Sequence, residues 1–228
     1  MVNDEAQTPA GVAADGEAVE APPLGWRPSV LQLLTMVLAV AFLAAAAGFT
    51  LGDRRAQPNA VDLGFVRDMI DHHEQAIVMG KILQTAEGSP QIRHFANEIT
   101  QGQSFEEATM LAWLAEWKRD RGPEDRAAME WMPHGSHPMD MNLTVATMPG
   151  MATEAQLQLL QEAKGADADT LFVRMMIAPP RGGGAMADAA RLHAGDPRVR
   201  DLAGRIYRYQ KVEIREMEQA RARVGLPA

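Results

Sequence analysis

The chain is 228 residues long, 46% hydrophobic, with a formal net charge of −8, which suits a folding chain of one ordinary domain with extensions rather than a disordered one. Acidity without a dense Lys/Arg patch excludes a nucleic-acid partner, since phosphate binding needs a basic footprint. The absence of cysteine excludes disulfides, thiolate zinc sites, iron–sulfur clusters and Cys nucleophiles.

Residues 1–28 carry Asp4, Glu5, Asp15, Glu17 and Glu20 against Arg27 alone, amid Ala, Gly and Pro. They read as a disordered acidic tail. Residues 29–52, SVLQLLTMVLAVAFLAAAAGFTLG, hold no charge over 24 residues, and at about 1.5 Å per residue such a helix would span a hydrocarbon core of roughly 30 Å. The expectation is one N-terminal transmembrane helix with the lipid bilayer as its partner. A secretory signal is the alternative, with Ala45-Ala46-Ala47 as a cleavage region. Its core would normally be about 7–15 residues behind a basic leader, and this one is longer behind an acidic leader. Arg27 on one side faces Arg54 and Arg55 on the other, so charge does not set the orientation. Residues 53–59 form a linker.

The remainder repeats itself. FVRDMIDHHEQAIVM from Phe65 lies over FVRMMIAPPRGGGAM from Phe172 without gaps, at an offset of 107. The register continues through Pro90 and Pro197, Arg93 and Arg200, Ile99 and Ile206, Gln103 and Gln210, Glu106 and Glu213, and Met110 and Met217. This is a duplicated helical hairpin. Repeat one covers 60–121, a Met- and His-rich linker 122–166, and repeat two 167–225.

In each repeat a first helix precedes a second. The first runs over about 60–87 and stops at Gly88. Ser89-Pro90 then supplies a cap oxygen and a proline at the first helical position, and the second helix is predicted to end near Arg121, before Gly122-Pro123. Asp196-Pro197 repeats this start. Between the repeats, Thr153 to Gln156 forms a capping box that opens a short helix to about Lys164. Two hairpins predict an all-α four-helix bundle over 60–225.

At 100° per residue, Phe65, Met69, His72, His73, Ala76, Met79 and Leu83 share one face of the first helix. Ile92, Ile99, Gln103, Glu106, Met110, Trp113 and Trp117 share one face of the second. Gln103 and Glu106 interrupt an apolar stripe, as Gln210 and Glu213 do in repeat two, and buried polar groups are costly unless paired. One account is a hydrogen-bonded core network with Met as filler. The other is metal: imidazole and thioether form a soft-to-borderline set that suits copper, above all Cu(I), with Glu106 as ligand or as the partner that orients a His. The first-choice set is Met69, His72, His73, Met79, Glu106 and Met110. The linker offers a second, Met132, His134, His137, Met139 and Met141, while Met148 and Met151 suit a lid.

These residues resemble the domain of unknown function 305 family. The resemblance rests on MI-x-HH-x-x-A-x-x-M at 69–79, the Gln103-Glu106-Met110 pattern, MPGM at 148–151 and the second FVRMMI segment. It implies a ferritin-like bundle, exported or membrane-anchored in bacteria, with members that bind copper through His and Met. Carried over, the family's ligand positions fall on Met69, His72, His73 and Met79. In repeat two the family's second His pair is replaced by Pro179 and Pro180.

Prolines inside a helix cost roughly 3 kcal/mol each and glycines about 1, so PPRGGG opposes a continuous helix by about 9 kcal/mol. The third helix is predicted to break after about Ala178 and restart near Gly184. No Glu-x-x-His pair of the di-iron bundles occurs, nor any nucleophile elbow, Walker motif or dinucleotide fingerprint, so the chain does not read as an enzyme. The expected function is a single-pass protein of the bacterial cell membrane whose extracytoplasmic domain sequesters copper or hands it to an accepting protein. The alternative is an accessory subunit of a membrane protein complex with a partly lost metal site.

Overall fold

A computed structural model describes residues 29–52, 57–133, 143–177 and 182–227. The chain divides into two compact units, Met1–Arg54 and Arg55–Ala228. In the first, the apolar run forms helix α1, Val30–Gly52. The transmembrane expectation for 29–52, and the single-pass membrane location built on it, is corrected here: among the described residues no helix is long and apolar enough to cross a membrane.

The second unit is all-helical, with α2 (Ala60–Thr85), α3 (Pro90–Trp117), α4 (Glu154–Glu162), α5 (Gly165–Ile177), α6 (Gly183–His193) and α7 (Pro197–Arg223). Among the described residues the only extended pairing is an isolated bridge between Ala127 and Thr144. Asn59 and Asp62 cap α2 reciprocally, and Thr153 with Gln156 does the same for α4. Ser89 and Asp196 each accept from a backbone N–H two residues on, ahead of Pro90 and Pro197, which places proline where its missing N–H is harmless. Helix α3 ends four residues before the predicted Arg121. Lys118 turns left-handed, φ 55°, and Arg121 instead reaches back to Asp71 at 2.6 Å and to Glu74.

Helix α2 packs on α3, α6 on α7, and both α5 and α6 on α2. The break within the third helix falls between Ile177 and Gly183. The core divides in two. One apolar cluster gathers Phe65, Met69, Met110, Trp113, Met148, Met186 and Leu202, the other Met79, Leu83, Ile92, Leu160, Phe172 and Met217. Burying each such side chain contributes about 1.5–3 kcal/mol. Between the clusters the facing helices carry His72, His73, Gln103, Glu106, Gln210 and Glu213, which belong to neither.

The repeats are tied by an exchange of carboxylates. Asp62 Oδ1 accepts from the Asp196 N–H at 2.9 Å, and Asp169 Oδ2 accepts from the Ser89 N–H at 2.6 Å. Asp62 and Asp169 occupy the same register position, as do Ser89 and Asp196. Each first helix therefore satisfies the cap of the other repeat's second helix.

The linker folds onto α2 through Asp68, whose carboxylate accepts from the Met129 N–H, Trp131 Nε1 and Arg126, each at 2.7 Å. Burial nevertheless pushes this carboxyl above its ordinary value. Met129 and Met132 are thereby buried in the first cluster.

Candidate metal centre

Helix α2 sends its two adjacent imidazoles to different places, because consecutive helical residues are turned about 100° apart. Their ring centroids are 6.3 Å apart and tilted by 56°. His73 is 1% exposed, and its Nε2–H donates to Glu106 Oε2 at 2.8 Å. A carboxylate can only accept, so this bond places a proton on Nε2, across the ring from Nδ1. That atom is buried and without a hydrogen-bond partner.

His72 lies on a cavity of about 70 Å³ that Met79, Gln103, Met175, Met176 and Met217 also line. One water needs only about 10–15 Å³, so the space accommodates an ion. His72 Nδ1 is buried without a partner. Burial first, and the neighbouring His73 second, lower its pKa from 6.5 to about 4, which keeps the imidazole neutral at physiological pH. Neutral imidazole is the form that binds a metal.

The roof of this cavity consists of two backbone segments. Gly150, φ +93°, sits where a β-carbon would lie 3.2 Å from His72 Nε2. A β-carbon at Gly183 would lie 2.9 Å from His72 Cε1 and 2.8 Å from Gln210 Nε2, and one at Gly182 would strike the Pro149 carbonyl. Absence of side chains lets the MPGM turn and the glycines of the α5–α6 break close together over the imidazole. Gln75 fixes this roof: its Nε2 donates to the Ala152 carbonyl at 2.8 Å and its Oε1 accepts from the Ala152 N–H at 2.6 Å. The glycines that flank the break thus bring backbone against the imidazole.

The first-choice residues separate into three groups. His72 and Met79 meet at the cavity. His73 and Glu106 pair beside a second pocket of about 200 Å³, which Gln103, Gln210 and Glu213 also line. Met69 and Met110, both 0% exposed, belong to the first apolar cluster and line neither space. Of the second-choice set, Met132 is buried in that same cluster, while His134, His137, Met139 and Met141 lie outside the described residues. Met175, Met176 and Met217 were not singled out as ligands by the sequence. The repeat held the signal for Met176 and Met217, which fall in register with Met69 and Met110.

Among the described residues no group of three or more His, Asp or Glu side chains is placed to hold a metal ion. Hard cations need such an oxygen-rich set; the cavity instead places one imidazole and four thioethers beside a single carboxylate, Glu213, and the amides of Gln75, Gln103 and Gln210, a set that fits a softer ion. The imidazole and sulfur donors around His72 therefore fit a soft ion better than calcium or magnesium.

Fold and site together define an all-helical bundle protein with a histidine–methionine cavity. The chain belongs to the family described as domain of unknown function DUF305, which it matches over residues 62–221. A DUF305 protein from Streptomyces coelicolor is 31% identical, with a TM-score of 0.63 over 72% of this chain and 94% of that one. A DUF305 fragment from Deinococcus radiodurans is 28% identical, with a TM-score of 0.57 over 73% and 98%. CopM in its Cu(II)-bound form is 28% identical, with a TM-score of 0.51 over 69% and 93%. No curated protein matches the chain.

Proposed function

We propose that this protein binds copper in a ferritin-like four-helix bundle, holding it as Cu(I) and yielding it to an accepting protein without catalysing a reaction. The observation that carries the reading is the meeting of a neutral, unpartnered His72 with Met79, Met175, Met176 and Met217 around one cavity. Thioethers are soft donors and favour Cu(I) over Cu(II) or zinc. Copper-bound CopM supports the choice of metal. His72 would bind through its lone pair, the thioethers would complete the set, and the glycine roof would keep water and stronger ligands away.

Titrating the full-length chain with Cu(I) against a chromogenic chelator tests this. His72→Ala is expected to weaken binding at least tenfold. Unchanged affinity would remove His72 from the site.

A further inference from the structure

The second pocket, of about 200 Å³, adjoins the cavity: Gln103, Gln210 and Glu213 line both. Its walls are repeat-related pairs, since Gly102 and Tyr209, Gln103 and Gln210, and Glu106 and Glu213 each differ by the offset of 107. The pocket therefore lies where the two second helices, α3 and α7, face each other across the internal symmetry.

That symmetry is broken at the rim. Tyr209 stands 60% exposed on one side, while its counterpart is Gly102, from which a β-carbon would meet nothing within 4 Å. A side chain like that of Tyr209 on both sides would narrow the opening. Glycine inside a helix costs about 1 kcal/mol relative to alanine, and no close neighbour of Gly102 explains it. Further in, Gln103 is 8% exposed and its Oε1 has no hydrogen-bond partner. It forms the common wall of pocket and cavity. Burial and the Glu106 charge hold the Glu213 carboxyl above its ordinary value.

We infer that copper enters and leaves the thioether cavity through the α3–α7 seam, over the open rim at Gly102, with Glu106, Glu213 and His73 capturing the cation and Gln103 relaying it inward. This rests on the cavity being the copper site. Carboxylates and an imidazole attract a cation, yet they do not form a closed three-ligand group, so the outer pocket passes the ion on rather than keeping it. Thioethers inside then hold Cu(I) more firmly than oxygen donors outside. No electron is transferred in this step, and the ion moves as Cu(I) throughout.

The route predicts kinetics without a change in equilibrium. Stopped-flow transfer of Cu(I) from a chromogenic chelator to the full-length chain gives the loading rate, and back-transfer to excess chelator gives release. Gly102→Trp should slow both about tenfold or more and leave Kd within a factor of two, while Gly102→Ala matches wild type. Glu106→Gln keeps an acceptor for His73 but removes the charge, and should slow loading several-fold. If Gly102→Trp, shown folded by its circular dichroism, loads at the wild-type rate, the route is wrong and the cavity reading stands. If the wild-type chain takes up no Cu(I), the cavity reading fails and the route with it.

Discussion

Gly183 lies so close to His72 that a β-carbon on it would come within 2.9 Å of the imidazole Cε1. Repeat two, which has prolines in register with His72 and His73, thus supplies the wall against which His72 rests. Gly183→Ala would gain up to about 1 kcal/mol of helix propensity and lose about 1–3 kcal/mol to overpacking. The expected net is a loss on the order of 1 kcal/mol, seen as a melting temperature lower by a few degrees. Cu(I) affinity should fall several-fold in the same variant, because the ring must turn away from the added methyl group.

His73 should behave differently from its neighbour. Its hydrogen bond to Glu106 involves a charged acceptor, a class worth about 1.5–3 kcal/mol, and its side chain is 1% exposed. His73→Ala is expected to cost about 2 kcal/mol in urea denaturation, with Cu(I) affinity kept within about threefold. An affinity loss equal to that of His72→Ala would place both imidazoles on one ion.

Acidification should weaken the metal-free fold through His72. Its pKa is 6.5 when free and about 4 when folded, so the unfolded chain binds this proton first. Its influence is absent above pH 6.5, and stability falls as the pH drops from 6.5 toward 4, by a total on the order of 3 kcal/mol. Asp68 and Glu213 lie above their ordinary 3.8 and 4.5 and work in the opposite direction, the fold gaining stability as the pH falls through their raised values toward the ordinary ones. Comparing urea midpoints of wild type and His72→Gln across this window isolates the imidazole: the variant should show the shallower decline.

The exchanged caps can be tested at Asp169. Its carboxylate accepts from the Ser89 N–H, yet burial raises its pKa, so its charge gains little from the site. Asp169→Asn retains an acceptor and should change stability by less than about 1 kcal/mol. Asp169→Ala strands the N–H and should cost about 1–3 kcal/mol. Denaturant midpoints of the two variants distinguish a requirement for an acceptor from one for a charge.

The sequence by itself determined the local and periodic features. Ser89-Pro90 and Asp196-Pro197 announce helix starts because capping acts within three residues. The offset of 107 exposes the duplication, and the cost of PPRGGG locates the break between Ile177 and Gly183. The apolar run at 29–52 was also legible as a helix, whereas its reading as a membrane span did not survive. Tertiary structure alone decided which of these residues meet. Met69, His72, His73 and Met79 share a broad helical face in the sequence, but a face about 120° wide meets more than one neighbour. Met69 packs into one apolar cluster, His73 turns to Glu106, and His72 with Met79 meets Met175, Met176 and Met217 from α5 and α7. Periodicity fixes the direction in which a side chain leaves its own helix. What it meets there depends on how the broken third helix and the MPGM turn pack, and that arrangement arises between segments far apart in the chain.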